Sequence, residues 1–275
     1  MQRLLIVGFG DIARRAVAQL ERRFRIDRVS RQHGLDLDRP ETLRLDAADA
    51  LLHLAPPPRS GDSDPRTANL LAALEKCRIL PGRMVYVSTS GVYGDCGGAQ
   101  VDESRPIAPA TPRARRRADA ERQLNAWCSA RNVALAVLRA PGIYAADRLP
   151  LERLRAGTPV LRAEDDVYTN HIHADDLARA AVRALELDAP AGVFNASDDS
   201  EIRMGDWLDL VADRQGLPRP PRLARSQFKD INDFMQESRR LVNRRLKQVL
   251  GLRLRYPTVQ EGLRHGEPAG IDQPA

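Results

Sequence analysis

The chain opens on Leu4-Leu5-Ile6-Val7-Gly8-Phe9-Gly10-Asp11-Ile12-Ala13-Arg14-Arg15. An apolar run leads into Gly-x-Gly-x-x-Ala, and a helical pattern follows. Strand, tight turn and helix is the order that a dinucleotide-binding turn requires. Gly8 permits the turn. Gly10 lets backbone approach a pyrophosphate, because no Cβ intervenes, and Ala13 lets the helix pack close to the strand. Asp11 and Ile12 open the helix, whose N-terminal N–H groups suit phosphate. An ordinary βα turn also uses glycines. The flanks and the N-terminal position favour the cofactor reading.

Working outward, a helix is predicted over about 12–23 and a second strand over 25–30, ending at Ser30-Arg31-Gln32. An acid after this strand accepts from the 2′-hydroxyl of NAD, while an arginine favours the 2′-phosphate of NADP. Arg31 holds that slot, with Arg14 and Arg15 near enough in sequence to add to one anion site; a solvated arginine is the alternative. NADP is therefore the expected cofactor and NAD the second choice. Residues 33–48 leave little room for a full βα unit, so the third strand should be reduced or missing. A buried strand over 50–55 ends at Pro56-Pro57-Pro58, which puts Leu54, Ala55 and Pro56 beside the cofactor. A helix over 67–78 and strands over 84–88 and 133–139 complete the pattern. Pro141 and Ile143 follow the last of these strands, near the expected nicotinamide. The order gives an α/β fold, a Rossmann-type doubly wound parallel sheet.

Composition bounds the partners. At 275 residues with 43% hydrophobic content, the chain suits one large α/β domain or a core with a smaller lobe. No apolar run is long enough to span a bilayer, and glycines interrupt the first apolar segment, so neither membrane span nor signal peptide is expected. Cys77, Cys96 and Cys128 lack metal spacing and suit a reducing cytoplasm. The net charge of +6 comes from scattered arginines without interleaved aromatics, which argues against nucleic acid.

A resemblance emerges at Val87-Ser88-Thr89-Ser90-Gly91-Val92-Tyr93-Gly94, taken with the glycine turn, Val101-Asp102-Glu103 and Asn170-His171-Ile172-His173-Ala174-Asp175-Asp176-Leu177-Ala178. Further matching segments are Arg139-Ala140-Pro141-Gly142-Ile143-Tyr144, Phe194 to Asp199, Ser238-Arg239-Arg240 through Asn243, Leu250-Gly251 and Tyr256-Pro257. Together they resemble the extended short-chain dehydrogenase/reductase superfamily, and more narrowly an atypical NAD-dependent epimerase/dehydratase, over nearly the whole chain. The resemblance implies one Rossmann-type domain over 1–275 with a small substrate lobe, built mainly from about 145–170 and 200–265. It also implies hydride transfer by a Ser/Thr-Tyr-Lys triad, with Thr89 in the Ser/Thr position. Asn170 would face substrate, and His173 and Asp175 would be structural.

The departure follows at once. The Tyr-x-x-x-Lys segment should open a helix about twenty residues after Tyr93, yet that stretch reads Ala110-Thr111-Pro112-Arg113-Ala114-Arg115-Arg116-Arg117-Ala118-Asp119-Ala120-Glu121. Arg113 falls in the Tyr slot and Arg117 in the Lys slot. No Tyr or Lys lies between Tyr93 and Tyr144 to restore the motif. Arg117 retains donors for a ribose, whereas a guanidinium stays protonated and cannot replace a phenol as acid/base. At i and i+4 the two share one helix face, which meets either the cofactor or solvent. The available phenols are Tyr93 and Tyr144, both taken as substrate-facing.

Further along, 149–157 reads as a short helix, 176–187 and 205–215 as longer ones, with Trp207 and Leu208 as core. His171 and His173 are two apart without a clear third ligand, so no metal is expected. Helices are predicted over 227–237 and 240–250, the second capped by Gly251, and the tail after Gly266 reads as frayed. Two functions remain. One is an NADP-dependent oxidoreductase or epimerase/dehydratase relative with a degenerate Tyr-Lys pair (Thr89, Arg113, Arg117), acting on a small, anionic substrate. The other is a non-catalytic NADP-binding sensor or regulator. Oligomerisation is left open.

Overall fold

The first apolar run becomes strand β1 (Gln2–Val7), and the glycine turn delivers the chain into helix α1 (Asp11–Leu20) and strand β2 (Phe24–Val29). The protein is described here by a computed structural model that covers residues 1–228 and 235–264. After β2, residues 30–49 form only two 3-10 turns, Arg31–His33 and Pro40–Thr42. No strand intervenes before β3 (Ala50–His53), as the shortness of this stretch requires. Then come α2 (Pro65–Lys76), β4 (Arg83–Thr89), the two-residue β5 (Gln100–Val101), α3 (Pro112–Ala130) and β6 (Ala134–Ala140). The second half comprises β7 (Gly142–Tyr144), α4 (Leu151–Arg155), β8 (Val160–Leu161), β9 (Tyr168–Thr169), β10 (His171–His173), α5 (Ala174–Ala184) and β11 (Gly192–Asn195). It ends with β12 (Ile202–Arg203), α6 (Met204–Arg214), β13 (Arg222–Leu223), β14 (Arg240–Leu241), α7 (Arg244–Gln248) and α8 (Val259–Arg264).

Six strands form one parallel sheet in the order β11-β6-β4-β3-β1-β2. Strand periodicity of two assigns the sheet's side chains to two layers. Leu4, Ile6, Leu52, Val85 and Leu138 pack with α1 and α5. Leu5, Val7, Leu51, Met84, Tyr86 and Val137 pack with α2 and α3. The sheet is thus covered on both faces, a Rossmann-type α/β architecture. Strand order reverses between β1 and β3, and a crevice opens there at the strands' carboxyl ends. A third apolar cluster gathers Tyr144, Leu154, Val160, Trp207, Val211 and Val259 from segments outside the sheet.

The C-terminal part corrects one prediction. Arg240 and Leu241 form β14 against Gln100 and Val101, and the helix begins only at Arg244. Helical spacing of apolar residues missed this pairing because its partner strand lies far away in sequence. Residues 229–234 of the helix predicted over 227–237, and the tail after Gly266, lie outside the described residues. Just before residues 229–234, Arg225–Gln227 is a 3-10 turn.

Candidate functional site

The crevice is a cleft of about 480 Å³. Gly8, Gly10, Asp11, Ile12, Arg31, Leu54, Ala55 and Pro56 all line it. The two glycines serve differently. Gly8 has φ +89°, and a Cβ there would lie 2.4 Å from the Ala55 nitrogen, so this position is structural. Gly10 has an ordinary extended φ of −92°, and a Cβ would meet no protein atom within 4 Å. Its missing side chain leaves open space beside the first turn of α1, where free N–H groups gather. That is the arrangement a pyrophosphate requires.

Arg14, Arg31, Arg66, Arg117 and Arg148 line the cleft with the acids Asp11 and Asp36. Arg66 is committed: it holds Asp38 at 2.6 Å and donates to the Pro56 carbonyl at 2.9 Å. Its hydrogen bond, with the charge of Arg31 adding, keeps the Asp38 carboxyl below its ordinary range. Arg15, grouped with Arg14 from the sequence, turns away. It ion-pairs with Asp11, Asp147 and Asp175 at 2.9, 2.7 and 2.8 Å. Two of these carboxylates come from distant segments, which sequence proximity does not reveal.

A second cavity, about 380 Å³, adjoins the first and contains Thr89, Arg113, Tyr144 and Asn170 in its lining. Ile143 and Arg148 line both spaces. Pro141, expected beside the cofactor, lines this second cavity and not the cleft. Thr111 caps α3 by accepting from the Ala114 nitrogen at 3.2 Å, and this fixes the helix's first turn. Successive turns of that helix then present Arg113 to the second cavity and Arg117 to the cleft. Thr89 Oγ1 accepts from the Gly91 nitrogen at 3.2 Å, holding the 3-10 turn that follows β4. The helix is clamped from below. Glu121 is buried, accepts from Arg139 of β6 at 2.7 Å and takes a hydrogen bond from Ser88 of β4 at 2.5 Å.

Only one of the two phenols, Tyr144, lines the cavity. Tyr93 lies outside the cavity lining, almost wholly buried, and its hydroxyl donates to Asn195 Oδ1 at 2.8 Å. Burial raises its pKa. Tyr144 touches the cavity, yet its hydroxyl donates to the Thr258 carbonyl at 3.2 Å, and burial raises its pKa as well. Asn170 is on the lining but spends its amide on backbone, donating to the Arg239 carbonyl at 2.9 Å and accepting from the Leu241 nitrogen at 2.8 Å. It clips the 237–241 strap to the cavity wall. His173 Nδ1 accepts from the Asp175 nitrogen at 3.2 Å and caps α5. His171 packs on Trp207 with centroids 4.4 Å apart, and burial drives its pKa down to about 3.

The cavity also holds residues that the sequence reading did not single out: Arg148, Tyr168, Glu237 and Arg239. Glu237 and Arg239 form an ion pair of 2.8 Å. Arg148 reaches Asp11 of α1 at 2.8 Å. The available signal was the Ser238-Arg239-Arg240 segment, but its place on the cavity wall depends on the pairing of β14 with β5. Arginine thus outnumbers acid on this wall by Arg113, Arg148 and Arg239 to Glu237.

The comparisons with known proteins agree with this architecture. Human dTDP-D-glucose 4,6-dehydratase is 23% identical over 173 residues, which cover 53% of this chain and 49% of that protein. The chain therefore spans about half the length of the curated relatives it matches. A functionally unknown conserved protein from Silicibacter pomeroyi DSS superposes with a TM-score of 0.78 at 30% identity, covering 96% of this chain and 97% of that one. RMD from Pseudomonas aeruginosa, solved in complex with NADPH, superposes with a TM-score of 0.75 at 20% identity over 97% and 98% of the two chains. The model of the NAD dependent epimerase/dehydratase family matches residues 21–197, more than half of the chain and wholly beyond the glycine turn; the protein belongs to that family.

Proposed function

We propose that this protein binds NADP(H) in the cleft and acts as an oxidoreductase of the epimerase/dehydratase type on a small anionic substrate in the adjoining cavity. The observation that carries this reading is the placement of Arg113 and Arg117 on successive turns of one helix, one at each space. The open face of Gly10 fits a pyrophosphate, and Arg31 with Arg14 suits a 2′-phosphate. A bound nicotinamide dinucleotide supplies hydride exchange. Arg117 offers N–H donors on the cleft side, while Thr89 offers a hydroxyl beside Arg113. A guanidinium holds a carboxylate or phosphate through paired charge-assisted bonds but does not release a proton near neutrality. Arg113 therefore anchors substrate and leaves acid/base work to other groups. Three unpaired cysteines among the described residues, together with the absence there of any helix long and apolar enough to cross a membrane, suit the reducing cytoplasm.

A second reading is a non-catalytic NADP sensor. It is favoured by the engagement of the Tyr93 and Tyr144 hydroxyls with Asn195 and Thr258, away from substrate space. Single-turnover oxidation of bound NADPH separates the two. Keto acids and phosphorylated carbonyls should be reduced, neutral ketones should not, and Arg113→Ala should lower turnover by about tenfold or more. No oxidation with any carbonyl, alongside tight NADPH binding, supports the sensor. Ordinary turnover of neutral ketones, unaffected by Arg113→Ala, refutes the anionic assignment.

A further inference from the structure

Tyr86 lies in the middle of β4 with no exposed surface. Its phenol nevertheless contacts Arg117, which lines the cleft. Arg117 Nη1 donates to the Tyr86 hydroxyl at 3.1 Å and to the Val87 carbonyl at 2.9 Å. The guanidinium carbon sits 5.7 Å from the Tyr86 ring centroid. The tyrosine is itself braced: the His53 ring centroid is 5.0 Å away, and His53 Nε2 pairs with Thr67 Oγ1 at 3.1 Å. The Thr67 hydroxyl in turn donates to Asp64 Oδ2 at 2.7 Å. Burial, with the nearby charge of Arg117 adding, keeps His53 neutral, so this support carries no competing cation.

We propose that Tyr86 is a positioning residue for dinucleotide binding, acting through Arg117. An arginine distributes its donors over three nitrogens, so one nitrogen can be tied to protein while the others serve a ligand. A lysine concentrates its donors on one nitrogen and cannot divide the two tasks in this way. With Nη1 held by Tyr86 and Val87, the long side chain is ordered before the ligand arrives, and the entropy of ordering it is not charged to binding. Arg117 thereby becomes a fixed wall of the cleft, and the substitution in the lysine slot is matched by a second residue on the neighbouring strand.

This inference rests on the cleft being a dinucleotide site. The test is a double-mutant cycle in which the Kd for NADPH is measured for wild type, Tyr86→Phe, Arg117→Met and the double variant. Tyr86→Phe should weaken binding about fivefold in the wild-type background and less than about twofold once Arg117 is gone. Equal weakening in both backgrounds means that Tyr86 acts only through general packing, and no weakening in either means that it does not act; both overturn the proposal while leaving the cofactor site intact. Failure of wild type to bind NADPH or NADH removes the cofactor site and this proposal with it. Should Tyr86→Phe not fold, NMR of the wild-type guanidinium groups decides. A tethered Arg117 shows an Nη1 proton protected from exchange before nucleotide is added, and its absence overturns the tether.

Discussion

The two adjoining spaces are built by different means. The cleft comes from backbone: a glycine turn, the first turn of α1, and the ends of β1 and β3, supplied mainly by short segments around 8–14, 30–37 and 54–56. The second cavity is built from side chains that converge from six stretches between Thr89 and Arg239. Backbone construction obeys rules of chain geometry that carry over between proteins. Side-chain construction depends on which distant segments meet. Here those meetings were decided by long-range contacts such as the Asn170 clip and the β5–β14 pairing.

The contrast can be broken most sharply at Gly10. A Cβ there meets no protein atom, so Gly10→Val should fold, which circular dichroism checks. Its side chain occupies the phosphate space. Loss of two charge-assisted bonds, about 1.5–3 kcal/mol each, predicts at least about a hundredfold weaker dinucleotide binding by calorimetry. Unchanged affinity in a folded variant would remove the cleft from the cofactor. The next effect is smaller. Arg31→Ala should weaken NADPH by about tenfold and leave NADH unchanged, since only the 2′-phosphate distinguishes the two. Equal affinities for both nucleotides, before and after the substitution, would leave Arg31 a solvated surface group.

The smallest effect sharpens the comparison from the side of the second cavity. Asp198 is buried, donates its backbone N–H to the His171 carbonyl at 2.7 Å and accepts at Oδ1 from Ser200. Burial pushes its carboxyl up to about 8, above its ordinary value. The protonated form is therefore favoured by folding. Its stability contribution is complete below the unfolded pKa, near 4, and is lost as pH rises towards 8. Asp198→Asn should remove this loss, so the stability of wild type in urea unfolding should fall relative to that of the variant as pH rises from about 5 to about 8.5. Parallel pH profiles would show that Asp198 ionises freely in the folded protein.

Much of the fold was legible because its signals are local. The apolar runs at 4–7, 50–53 and 84–88 carry the strands, and the shortness of 33–48 already excluded a full third βα unit. The helical i, i+4 rule put Arg113 and Arg117 on one face of α3. What sequence spacing cannot report is the direction of a long-range contact. Tyr93 and Tyr144 are each close in sequence to cavity residues, yet both hydroxyls turn to partners more than a hundred positions away. Arg15 differs from Arg14 only by one step of helix rotation, but that step swings it from the cleft to three carboxylates.

The amino-acid sequence by itself determined the parallel sheet, the glycine turn between β1 and α1, and the lack of any Tyr or Lys between Tyr93 and Tyr144. Periodicity, glycine placement and residue identity act within a few residues of the chain and need no partner to be read. Only the tertiary structure decided that Gly8 is structural while Gly10 faces open space, that Arg117 is tied to Tyr86, and that Arg148, Tyr168, Glu237 and Arg239 complete the second cavity. The physical reason is that side-chain hydrogen bonds and ion pairs are short-ranged in space but unrestricted in sequence, so their partners exist only once the chain has packed.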